Sequence, residues 1–211
     1  MTFLILGHRG SPRRFPENTV ASFEEALRAG ADGFETDLRL LTDRTAVLFH
    51  DHEVGEEASE TLTSAQIAAD PLVALAPFAG RALMVLEVKR SGWEETLLDH
   101  IASWPNIVVA SFDHRAIAEL ARRKAPFPLG LTFNGAIVDL PGYAKRVGAT
   151  WIFPNYHWID EEQVAALRGA GMTVIVWTPN RPREWQRLYD IGCHGIITDL
   201  PAEAVEWRKS L

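Results

Sequence analysis

Short apolar runs alternate with longer amphipathic stretches along the whole chain: "TFLILG", "DGFETDLRL", "TAVLFHD", "RALMVLEVK", "NIVVASF", "FPLGLTF", "ATWIFPN", "MTVIVWT" and "HGIITD". Runs of strand length separated by crossover-length segments predict a parallel sheet with a helix after each strand. We read about eight strand-helix units, and a (β/α)8 barrel of that many needs ~200 to 250 residues. The chain has 211. The expectation is an α/β protein: a compact TIM barrel near minimal length, residues 1–211 forming one domain with short loops.

The amphipathic segments carry helix boundary chemistry. Asn18 or Thr19 is placed to cap a helix holding Val20, Phe23 and Leu27 on one face, and Gly30 to close it. Asp160 with Gln163 resembles a capping box, and Pro182 and Pro201 stand where first-turn prolines are tolerated. The least periodic stretch, Glu53 to Gly80, fits a small lid or a connecting helix.

In a barrel of this kind reactive groups lie at the carboxyl ends of strands. His8 and Arg9 follow "FLIL", Glu35 and Asp37 lie near the end of "GFETDL", His50 and Asp51 follow "AVLF", and Glu87 and Lys89 close "LMVLEVK". Strand side chains alternate, so Glu35 and Asp37 share one face, as do Glu87 and Lys89. Three carboxylates converging in one mouth would repel and take up protons unless a hard cation relieved the cost. With no Cys or His ligand spacing, the set suits a divalent cation, Mg²⁺ or Ca²⁺, rather than zinc. His8 and His50 can divide base and acid roles, Arg9 offers a bidentate fork to phosphate, and Lys89 a point charge. Such a mouth is suited to phosphoryl chemistry.

A net charge of −7 provides no basic field for nucleic acid. Cys193 is the single cysteine and reads as a buried structural thiol. Residues 1–7 lack the features of a secretory leader and no apolar stretch reaches membrane-spanning length, so a cytoplasmic location is expected. Arg13 and Arg14 read as surface charges. His52, His100, His114, His157 and His194 have no partner motif and read as structural or exposed. Asp199, after the last strand in "IITDLP", reads as a cap for the final helix rather than a catalytic group.

In order along the chain, "HRG" (8–10), "PENT" (16–19), "GFETDLRLLTD" (33–43), "VLFHD" (47–51), "LEVK" (86–89), "VIVWTPN" (174–180) and "GIITDLP" (195–201) resemble the successive motifs of the glycerophosphodiester phosphodiesterases. The resemblance implies His8 and His50 as the catalytic pair, Glu35, Asp37 and Glu87 as metal ligands, and Arg9 and Lys89 as phosphate-binding cations. It further implies Glu17 and Asn18 as supports of the first loop and Trp177 as an aromatic beside the substrate. The implied reaction is metal-dependent hydrolysis of a glycerophosphodiester to glycerol 3-phosphate and an alcohol; the attacking group is either water or the glycerol 2-hydroxyl, and the resemblance favours the second, which gives a cyclic phosphate. The enzyme would act as a monomer or homodimer on a small-molecule substrate. The Arg-Thr-Thr-like stretch and longer excursion usual after "HD" are absent between Asp51 and Gly80, the region that shapes the alcohol side in the family. Two other readings are a phosphodiesterase acting on lysophospholipid or other diesters, and a non-catalytic phosphodiester-binding barrel.

Overall fold

The computed structural model describes residues 2–211. In chain order, β1 (Leu4–Gly7) and β2 (Gly33–Leu40) precede a short β3 (Ala46–Leu48) and a small hairpin, β4 (Glu53–Val54) and β5 (Glu57–Ala58). Then come β6 (Leu83–Val88), β7 (Ile107–Ser111), β8 (Leu129–Phe133), β9 (Trp151–Pro154), β10 (Thr173–Trp177) and β11 (Gly195–Thr198). Parallel pairing runs β1, β2, β6, β7, β8, β9, β10, β11 and back to β1, so eight strands close into a TIM barrel. Helices α1 (Val20–Arg28), α2 (Glu94–Ile101), α3 (His114–Arg122), α4 (Leu140–Val147), α5 (Glu161–Gly169), α6 (Pro182–Asp190) and α7 (Pro201–Arg208) surround it.

One apolar run departs from the expected series. "TAVLFHD" does not supply a barrel strand: β3 turns back antiparallel along β2, with Leu38 opposite Leu48 and Leu40 opposite Ala46. The reason is chain length. Only residues 41–45 join the two strands, far short of the dozen or so that a parallel crossover needs. They form a tight turn in which Arg44 is left-handed at φ 64° and Leu41 N donates to Thr45 O at 3.0 Å.

The crossover from β2 to β6 holds no α-helix. The stretch expected to form a lid or connecting helix is the β4–β5 hairpin followed by two 3₁₀ segments, Ser59–Thr61 and Leu72–Phe78. Pro77 lies inside the second, which removes an N–H that an α-helix would use. Phe78 closes the gap by packing edge-on against Phe34 at 5.1 Å and Phe23 at 5.9 Å between ring centroids.

Alternation along the strands divides the apolar residues into two layers. Ile5, Phe34, Met84 and Leu86 pack outward under the helices, while Leu6, Val85, Val108, Phe153, Ile175 and Ile197 fill the barrel interior. Gly130 makes room there: a Cβ on it would lie 2.4 Å from the Phe153 ring. Glu35 and Val85 are partners across β2 and β6, as are Asp37 and Glu87, so the interior face that carries Val85 ends in carboxylates.

The expected caps form in part. Thr19, not Asn18, accepts from Ser22 N to start α1. Asp160 accepts from Gln163 N, but Gln163 Oε1 has no partner, so the capping box has one arm. Pro182 and Pro201 occupy first-turn positions. Cys193 is buried, and burial pushes its thiol up to about 12, in keeping with a structural role. No helix among the described residues is long and apolar enough to cross a membrane.

Candidate active site

His8, Arg9, Glu35, Asp37, His50, Glu87, Lys89 and Trp177 line one cavity of about 250 Å³ at the carboxyl end of the barrel. Glu17 and Asn18 stand behind it, in the loop between β1 and α1. That loop has an unusual backbone. Arg9 and Asn18 are left-handed at φ 51° and 56°, a conformation that costs a non-glycine residue ~1 to 2 kcal/mol. Hydrogen bonds offset the cost: Arg9 N donates to Glu35 Oε2 at 3.1 Å, and Asn18 N to Arg9 O at 3.1 Å. Gly10 permits the close approach to α1, since a Cβ there would meet Ser22 Oγ at 2.4 Å.

Asp37 is the hub. Its side chain is 1% exposed and accepts from Asn18 Nδ2 at 2.8 Å, while Lys89 Nζ lies at 2.6 Å. Arg9 Nε is 3.1 Å away, near enough for charge attraction though not aligned for a hydrogen bond. Burial pushes the Asp37 carboxyl up, but Lys89 and Arg9 overcome that and hold it at about 2. Lys89 also contacts Glu87, and Glu17 grips Arg9 Nη1 at 2.9 Å. Asn18 spends its carbonyl on Thr36 Oγ1 at 2.8 Å and Asp37 N at 3.2 Å, which explains why Thr19 caps the helix instead.

Glu35 has the opposite environment. Burial, reinforced by the charge on Asp37, pushes its carboxyl up to about 8. Burial raises Glu87 as well, against the pull of Lys89. Ligand oxygens of Glu35, Asp37 and Glu87 all lie within 4.8 Å of one another, and all three residues are buried. An all-oxygen, carboxylate-only set with two members pushed toward their neutral forms by burial fits a hard divalent cation.

The histidines face the same cavity from different elements. Phe49 N donates to Asp37 O at 3.0 Å and buried Arg39 Nη2 donates to His50 O at 2.7 Å, so β3 delivers His50 to the edge of β2. Burial lowers the His50 imidazole below its ordinary value, against the nearby charge of Asp37. His50 Nδ1 is 2.9 Å from the exposed Asp51 Oδ1. His8 Nε2 lies 3.9 Å from Glu35 Oε2 and His8 Nδ1 is 2.7 Å from Asp199 Oδ1. Burial disfavours the imidazolium of His8, but the bond to Asp199 and the charge of Glu35 outweigh it and raise the group.

Asp199 corrects the sequence expectation. The N-cap of α7 is Leu200, and it has no side-chain cap bond; the Asp199 carboxylate is taken instead by His8 and by Asn180 Nδ2 at 2.8 Å. The strand-end rule that picked out His8 and Glu35 applied equally to Asp199, but Asp before Leu-Pro also matches a helix start. Arg13 and Arg14 are exposed as expected, although Arg14 pairs with Glu25 at 3.0 Å.

The remainder of the cavity wall is apolar: Val85, Ala110, Phe112, Phe153 and Ile197, with Thr132 and Thr178. Phe112, 47% exposed, meets Trp177 edge-to-face at 5.5 Å. Trp177 is fixed by Nε1 donating to Phe153 O at 2.8 Å.

The family profile described as "Glycerophosphoryl diester phosphodiesterase family" matches residues 8–95 and 84–203. A glycerophosphodiester phosphodiesterase of Caldanaerobacter subterraneus subsp. tengcongensis is 28% identical over 232 residues, spanning 95% of this chain and 96% of the relative. An Oleispira antarctica phosphodiesterase, solved with the product sn-glycerol-3-phosphate, superposes with a TM-score of 0.89 at 20% identity, covering 98% of this chain and 96% of that one. The glycerophosphodiester phosphodiesterase of Thermotoga maritima gives a TM-score of 0.83 at 21% identity, covering 98% of each chain.

Proposed function

The chain belongs to the glycerophosphoryl diester phosphodiesterase family, and on that premise we propose that its barrel, acting as a single catalytic domain, hydrolyses glycerophosphodiesters to glycerol 3-phosphate and an alcohol. The observation that carries this is the convergence of His8, His50 and three buried carboxylates on one cavity. Glu35, Asp37 and Glu87 would hold the divalent cation, Mg²⁺ or Ca²⁺. Bound there, the cation offsets charge on the phosphoryl oxygens.

The protein's own groups account for the rest. Arg9 and Lys89 line the cavity and offer N–H donors to the non-bridging phosphate oxygens. One histidine takes the proton of the attacking hydroxyl, the glycerol 2-hydroxyl or water; the other protonates the departing alkoxide. Glu17 orients Arg9, and Asn18 orients Asp37. Trp177 supplies a flat apolar surface for the carbon skeleton. The reading places the enzyme in the cytoplasm, as a monomer or homodimer.

Purified protein with Mg²⁺ or Ca²⁺ is expected to release glycerol 3-phosphate from glycerophosphocholine or glycerophosphoethanolamine, and to lose that activity in EDTA and in His50→Ala. Activity surviving both treatments would sink the reading. The apolar wall formed by Phe112, Trp177 and Phe153 supports a second one, a diester with a bulky apolar substituent such as a lysophospholipid. A rise in kcat/KM with acyl chain length would select it.

A further inference from the structure

The motifs "VIVWTPN" and "GIITDLP" carry two polar side chains, Asn180 and Asp199, that the proposed hydrolysis does not use. We infer that Asp199 and Asn180 are positioning residues that hold His8 in the tautomer with its proton on Nδ1, leaving Nε2 as the nitrogen that faces the reacting groups. The inference deepens the proposed hydrolysis and rests on His8 being part of it.

The geometry is a relay of hydrogen bonds across the ends of three adjacent strands, β10, β11 and β1. Asp199 Oδ1 lies 2.7 Å from His8 Nδ1. An ionised carboxylate only accepts, so Nδ1 must carry the proton and Nε2 is free to take or give one. Asp199 Oδ2 accepts from Asn180 Nδ2 at 2.8 Å. Asn180 cannot turn its amide over without loss, because its Oδ1 accepts from Thr198 Oγ1 at 2.9 Å and from Asp199 N at 2.9 Å. The backbone is tied at the same place, His8 N donating to Thr198 O at 2.9 Å. Each group in the relay has its donor and acceptor roles set by the next.

A purely structural role for Asp199 has little to support it. The last helix makes no side-chain cap bond with it, and Leu200 N is met by Thr198 Oγ1 at 3.2 Å. Apart from His8, its ion-pair partner is Arg13, whose Nη2 is 3.7 Å away on a side chain that is 66% exposed, a separation at which an ion pair contributes little.

The amide substitution gives a directional test. In Asp199→Asn, Asn180 still donates to the carbonyl of the new side chain, so the new NH₂ faces His8 and requires Nδ1 to accept. The tautomer inverts and Nε2 is protonated. Nitrogen-15 imidazole spectra, with the His8 signals identified by their loss in His8→Ala, are expected to show Nδ1–H in the parent protein and Nε2–H in Asp199→Asn. With the cation-loaded enzyme and glycerophosphoethanolamine, kcat is expected to fall at least ~100-fold, by analogy with the ~10⁴-fold loss when a triad aspartate is amidated, while KM changes less than about threefold because the substrate's own contacts remain. Asn180→Ala, which leaves the carboxylate in place but frees it to rotate, is expected to lose ~10-fold. Adding Asp199→Asn to His8→Ala is expected to cost nothing further, since the residue acts through His8.

Unchanged His8 signals and kcat in Asp199→Asn, or a loss that adds in full to that of His8→Ala, would overturn the positioning role while leaving the hydrolysis reading intact. Full activity in His8→Ala would instead overturn the catalytic reading of His8 and this inference with it. Should Asp199→Asn not fold, Asn180→Ala with an unaltered His8 spectrum and kcat would overturn the inference alone.

Discussion

The mouth of the barrel has two halves built on different physics. At the ends of β1, β2 and β6 and after β3 stand His8, Arg9, Glu35, Asp37, His50, Glu87 and Lys89, all titratable and each with a polar partner; Asp37 by itself is held by Asn18, Lys89 and Arg9. From β7 to β10 the wall is Ala110, Phe112, Phe153 and Trp177 with Thr132 and Thr178, and carries no charged group; Phe112 is fixed by packing alone. The first half stores mutual dependence: each buried charge is affordable only while its partner stands. The second half is additive and tolerant, because a ring held by packing alone can change without leaving a buried charge unpaired.

The sharpest break of that contrast is Asp37→Ala. It leaves Lys89 and Arg9 facing one another without their shared carboxylate, so stability is expected to fall by ~3 to 5 kcal/mol, read by urea denaturation, with glycerol 3-phosphate release lost. Asn18→Ala strips a hydrogen-bond donor from buried Asp37 and an acceptor from Thr36. It is expected to cost ~1 to 3 kcal/mol without altering the helix α1 that Thr19 caps, as circular dichroism would show.

A milder test uses pH. In cation-free protein the Glu35 carboxyl is raised from 4.5 to about 8, so folding favours its neutral form. That contribution is fully present below 4.5 and is lost as pH rises through about 8. Asp37, lowered from 3.8 to about 2, works in the opposite sense, its contribution disappearing as pH falls through about 2. The melting temperature in EDTA is therefore expected to decline between pH 5 and 8.5, and Mg²⁺ or Ca²⁺ to raise it more at pH 8 than at pH 6. Glu35→Gln is expected to flatten that slope. The smallest effect belongs to the apolar half. Phe112→Ala removes a half-exposed ring, and stability is expected to change by no more than ~0.5 kcal/mol while kcat/KM for a bulky diester falls ~10-fold. A destabilisation as large as that of Asn18→Ala would erase the distinction between the halves.

The two halves also differ in how far the chain alone reveals them. Period-two alternation puts Glu35 with Asp37 on one face of their strand and Glu87 with Lys89 on one face of theirs, and the strand-end rule adds His8, His50 and Arg9. Those inferences need only local geometry. Phe112 was legible as the end of "NIVVASF" but not as part of the site, because an aromatic after a strand is as often core as rim. The turn at residues 41–45 was too short for a crossover and already contained the reason that β3 leaves the barrel.

The sequence by itself determined the alternating architecture, the faces of the strands and the residue types gathered at their ends, because these follow from periodicity within single elements. The tertiary structure alone decided that Asp199 meets His8 from 191 positions away, that Asn18 is spent on Asp37, and that Glu35 and Asp37, two residues apart, titrate in opposite directions. Those outcomes depend on barrel closure, which brings β11 beside β1, and on the distances from each buried carboxylate to Lys89 and Arg9, quantities that no local pattern encodes.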